Sequence, residues 1–106
     1  MTLVAKRIES ETGYKCFTTF DFDFTIAELF GEKEIRDTYE RLFNAFKGDT
    51  KSLTELVLIL NWKIWVWYEV NEGVARVYDE LWRKADEWAC DNLKDEDAEY
   101  YYRTLD

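Results

Sequence analysis

Residues 53–68 read LTELVLILNWKIWVWY, the densest apolar stretch in the chain. At 100° per residue, Leu53, Leu56, Val57, Leu60, Ile64, Trp67 and Tyr68 share one face of a helix. The opposite face carries Leu58, Ile59, Trp62, Trp65 and Val66, with Glu55 and Glu69 at its two ends. A helix that is apolar on both sides has to be covered on both sides, by its own fold or by a partner. The stretch therefore reads as the central helix of a domain. It falls short of the ~20 apolar residues that span a bilayer, and Asn61 and Lys63 interrupt it.

Working outward, the chain before this helix reads first as β. Leu3 to Ile8 suits a strand, Glu11-Thr12-Gly13 a turn, and Tyr14 to Phe24 alternates with Tyr14, Cys16, Thr18, Phe20, Phe22 and Phe24 on one face. A lone hairpin is marginal in water, so its aromatic face should pack on helices. The far face of the central helix, with Trp62 and Trp65, is the expected platform. Thr25-Ile26-Ala27-Glu28 has the form of a capping box and predicts a short helix ending at Gly31. A second helix is expected over about Lys33 to Lys47. Its stripe is Ile35, Tyr39, Leu42, Phe43 and Phe46, and Gly48 is a left-handed stop. Ser52-Leu53-Thr54-Glu55 is a second capping box, supported by Asp49 and Thr50 just before it.

After the central helix, Asn71-Glu72-Gly73 makes a short link. Val74, Val77, Tyr78, Leu81, Trp82, Ala85, Trp88 and Ala89 then form one continuous helical stripe, which should fold back antiparallel. Asp95 is placed to cap a last helix through Tyr100, Tyr101 and Tyr102. These patterns predict an α+β fold in a single domain, residues 1–106. A β-hairpin over 1–24 packs on three to four α-helices over 25–106, two of which form a long antiparallel helical hairpin.

Composition bounds the function. Aromatic residues make up 18% of the chain, enough apolar area for a core. Two cysteines in unrelated surroundings, Cys16 and Cys90, do not make a disulfide framework, and no secretory signal pattern opens the chain. The expected location is the cytoplasm. Net charge is −9, from 23 acidic and 14 basic residues, with the excess concentrated in residues 21–49 and 95–106. Such a surface repels nucleic acid and anionic membrane and suits a basic partner.

Enzyme chemistry finds little to stand on. The chain has no histidine, which removes the usual general base and most zinc sites. No phosphate-cradling glycine loop, paired-cysteine motif or nucleophile elbow occurs. Asp21 and Asp23, two apart on a strand, would project to one side and hold a divalent cation with Glu28 or Glu32 nearby. Alternating charge on a solvent-facing strand edge explains the same pair more simply. No enzyme activity and no cofactor are therefore expected. Trp62 and Trp65 raise the remaining choice of hairpin cover, self-association or partner site, since Trp is enriched at binding hot spots. Cover by the hairpin is the expectation.

In Leu53-Thr54-Glu55-Leu56-Val57, Leu60-Asn61-Trp62-Lys63-Ile64-Trp65, Ala75 to Trp82, and Tyr102-Arg103-Thr104, the second half of the chain resembles small uncharacterised proteins encoded by bacterial viruses and mobile elements. It implies no catalytic residue. It implies a context in which compact viral accessory proteins block host enzymes stoichiometrically, as anti-CRISPR and other anti-defence inhibitors do. The leading expectation is thus a small acidic protein-binding protein, acting on another protein such as a basic nucleic-acid enzyme, as monomer or homodimer. Its candidate contact residues are Asp21, Asp23, Glu28, Glu32, Glu34, Asp95, Glu96, Asp97 and Glu99, with Trp62 and Trp65 if these prove open. A self-associating structural protein is the alternative, and a metal-assisted enzyme on Asp21 and Asp23 the third.

Overall fold

The computed structural model describes residues 31–105. These residues form four helices: α1 (Glu32–Phe46), α2 (Thr50–Tyr68), α3 (Glu72–Asn92) and α4 (Asp95–Leu105). Among the described residues there is no strand, so the α+β expectation is corrected to an all-α bundle. The β-hairpin expected over 1–24 and the short helix before Gly31 lie outside the described residues.

The long helical hairpin forms as its periodicity requires. α2 and α3 make the most extensive contact, α1 lies against α3 and α2, and α4 packs on α2. The α1 stripe of Ile35, Tyr39, Leu42, Phe43 and Phe46 is buried throughout. It meets Leu53, Leu56, Val57, Leu60 and Trp67 of α2 and Val74, Val77, Tyr78, Leu81, Ala85 and Ala89 of α3 in one core. Tyr39 and Tyr78 stand edge to face with ring centroids 5.4 Å apart, which locks α1 to α3 through the favoured aromatic geometry. Trp82 and Trp88 of the α3 stripe are half-buried at the core's edge, where Phe43 meets Trp88 edge to face at 6.2 Å. Above that pair Lys47 lays its ammonium 4.8 Å from the Phe43 ring.

Helix ends differ from the expected devices in instructive ways. Asp49, rather than Ser52, is the N-cap of α2: its carboxylate accepts from the Ser52 backbone N–H at 3.3 Å and from the Ser52 hydroxyl at 3.0 Å. The acidic cap also complements the positive end of the helix dipole. Gly48 does not adopt a left-handed conformation; among the described residues the glycine with positive φ is Gly31, at +80°. The α1–α2 turn is closed instead by the Asp49 N–H donating to Phe46 O at 3.0 Å. Asn71 caps α3 by accepting from Val74 N–H at 3.3 Å. Asp95, expected as a cap, is the first residue of α4 and sits at φ 55°.

Candidate functional site

α2 is the element whose sequence asks for cover on two sides, and its two sides have separate fates. Leu53, Leu56, Val57, Leu60 and Trp67 are buried. On the outward side Trp65 is 75% exposed and Trp62 52% exposed, against 2% for Trp67. This corrects the expectation that Trp62 and Trp65 are core residues like Trp67. Tyr68, assigned by spacing to the inner stripe, is also exposed, as is Leu58. One turn back from Tyr68, Ile64 is half-buried against the core. Trp65, Tyr68 and Ile64 thus frame an apolar hollow on the surface. It adjoins a groove between α2 and α3, lined by Ile64 and Tyr68 on one wall and by Glu72, Ala75, Arg76 and Asp79 on the other.

Sequence reading missed Lys63. Its side chain is fully buried in the core face of α2, with its Nζ 5.7 Å from the centre of the Tyr78 ring. The signal was present in the spacing, because Lys63 lies three residues after Leu60 and four before Trp67, on the buried stripe. Its charge masked that position.

Among the described residues the acidic candidates are not gathered into one site. Asp21, Asp23 and Glu28 lie outside the described residues. Glu32 is exposed at the start of α1, and its carboxyl reaches over Gly73 in the first turn of α3, where the helix dipole favours an anion. Glu34 is half-buried on α1. Asp95, Glu96, Asp97 and Glu99 are exposed on α4. The last three share a shallow depression with Lys51, Tyr100 and Arg103. Among the described residues no group of three or more cysteine or carboxylate side chains is placed to hold a metal ion.

A second polar cluster joins α4 to α3. The buried Tyr101 hydroxyl donates to Asp86 Oδ1 at 2.5 Å. Burial, and then this bond to a carboxylate, drive the Tyr101 phenol well above its ordinary ionisation range. The neighbouring Tyr102 hydroxyl is also raised, first by its hydrogen bond to Cys90. The Tyr101–Asp86 bond anchors α4 to α3.

Compared with known proteins, the chain matches no family model, no curated protein and no solved structure.

Proposed function

We propose that the protein is a non-enzymatic binding protein that docks another protein on the outward side of α2. The observation that carries this reading is the exposure of Trp65. An indole left three-quarters open beside the exposed Tyr68 forgoes burial of a large apolar surface. Scattered apolar residues on a surface are ordinary, but adjoining aromatics mark contact sites, and Trp and Tyr dominate binding hot spots. The formal charge of −9 supports a basic partner, such as the basic groove of a nucleic-acid enzyme whose inhibition the reading assigns to this protein. The exposed thiol of Cys90 supports a reducing compartment, the cytoplasm. No described helix is long and apolar enough to cross a membrane.

Affinity capture from cell lysate at low and high salt, with wild type and Trp65→Ala run side by side, tests the proposal. A stoichiometric partner held by wild type and lost by Trp65→Ala is expected. A partner retained equally by both proteins, or no partner at either salt, defeats it. Light scattering on the purified protein separates the self-association alternative, since a monomer near 12.8 kDa at all concentrations removes it.

A further inference from the structure

We infer that α4 is a hinged strap: it leaves and rejoins the bundle as one unit, while α1, α2 and α3 stay folded without it. The share of the core that each helix supplies points to this. Among the described residues α3 contributes seven buried residues and α4 one, Tyr101. The rest of α4 is exposed or half-buried, with Ala98, Tyr100 and Leu105 the half-covered positions. Hydrophobic stabilisation follows the apolar area buried, so α4 adds little to a core that α1, α2 and α3 close among themselves. Elements with few buried apolar contacts open at a lower free energy than the core they lie on. At 11 residues α4 is also too short to hold its helix alone, so undocking and melting are a single event.

The joint and the latch are both visible in the geometry. At the joint, Leu93 follows α3 in an extended conformation at φ −74°, ψ 139°, and Asp95 opens α4 in the left-handed region at φ 55°. Among the described residues Asp95 is the one non-glycine with positive φ, and aspartate is one of the few side chains that tolerate it. Such a break between helices lets a few backbone angles absorb the swing of a whole element. At the latch, α4 lies on α2, and Tyr101 reaches across to α3, where its hydroxyl donates to Asp86 Oδ1. The ring is fully buried and the acceptor is charged, which makes this bond the strongest tie of α4 among the described residues. The second tie to α3, between Tyr102 and the Cys90 thiol, joins two exposed residues through a weak sulfur partner. Closing is favoured locally as well, because Asp95, Glu96 and Asp97 fill the first turn and Arg103 the last, as the helix dipole prefers. Opening bares Tyr101 and its seat against α2 and α3. That seat is separate from the docking side, since Trp65 lies about 21 Å along α2 from Lys51, which borders α4.

Native-state hydrogen exchange on the full chain, read by nuclear magnetic resonance in low urea, tests the strap. Amides from Ala98 to Thr104 are expected to share one opening constant, about tenfold or more above that of the slowest amides of α2 and α3. That constant should rise with urea, but less steeply than the constant for the core, because opening exposes only part of the surface. Tyr101→Phe is expected to raise the opening constant of α4 roughly tenfold or more, through the loss of a hydrogen bond to a charged acceptor. Tyr101→Ser also removes the ring. It is expected to lose the helical circular dichroism of the 11 residues of α4, while amides of α1, α2 and α3 stay protected. Exchange of α4 at the opening constant of the core overturns the inference, because the bundle then opens only as a whole. Protection that falls off residue by residue toward Leu105, without urea dependence, overturns it in favour of end fraying. An α4 opening constant unchanged in Tyr101→Phe removes the latch and overturns it too. So does a Tyr101→Ser chain with no protected core amides, which shows that α1, α2 and α3 do not stand without α4.

Discussion

The Tyr101 hydroxyl donates to the Asp86 carboxylate at 2.5 Å, and this bond ties the last helix to the middle of α3. The tyrosine is fully buried, so its removal is felt in stability. Tyr101→Phe is expected to lose about 1.5–3 kcal/mol at neutral pH, the range for a hydrogen bond to a charged acceptor. Urea melts of the two proteins measure it.

The same tyrosine sets an alkaline limit. Its phenol is raised in the folded state, first by burial and then by Asp86, while in the unfolded chain it ionises near 10. The native state therefore holds the proton that the unfolded state releases. The contribution is complete below about pH 10 and declines as pH rises above it toward the folded value. Stability against pH between 8 and 12 should fall more steeply in wild type than in Tyr101→Phe. Parallel curves would assign the tyrosine no part in the loss.

Two glycines should respond oppositely to alanine. Gly31 sits at φ 80°, ψ −171°, a region essentially closed to side-chain-bearing residues, so Gly31→Ala is expected to cost about 1–3 kcal/mol. Gly48 has ordinary φ and open space where a Cβ would stand. Gly48→Ala is expected to stabilise by about 0.4–1 kcal/mol through the unfolded chain. Chemical denaturation of both variants decides the signs.

Thr38 is buried on α1, and among the described residues its hydroxyl has no hydrogen-bond partner. Valine keeps the shape and removes the stranded oxygen. Thr38→Val should raise stability by about 1 kcal/mol, seen as a higher melting temperature.

What could be read beforehand was what periodicity encodes. The stripes of α1 and α3 and the antiparallel hairpin of α2 and α3 follow from 3.6-residue spacing, and the buried residues match those stripes closely. Chemistry at helix ends was less legible, because several oxygen-bearing residues precede α2 and only packing chooses Asp49 over Ser52 as the cap. Charge misled at Lys63, where the long stem fills the core and the ammonium approaches the Tyr78 ring. Hydrophobicity misled at Trp65, since a sequence records that a residue is apolar but not whether anything covers it. The openness of this side was hidden for that reason: its aromatics were read as covered.

Exposure of Trp65 therefore separates the two uses of an apolar helix face. Trp65→Ala should stay within about 0.5 kcal/mol of wild type, whereas Trp67→Ala should lose about 3–5 kcal/mol from the cavity left beside Leu60 and its neighbours. The most direct test is the amount of partner captured by Trp65→Ala under conditions where its melting temperature equals that of wild type. The account predicts an unchanged melt and loss of the partner. A melt lowered as far as that of Trp67→Ala, or full capture by the folded variant, would contradict it.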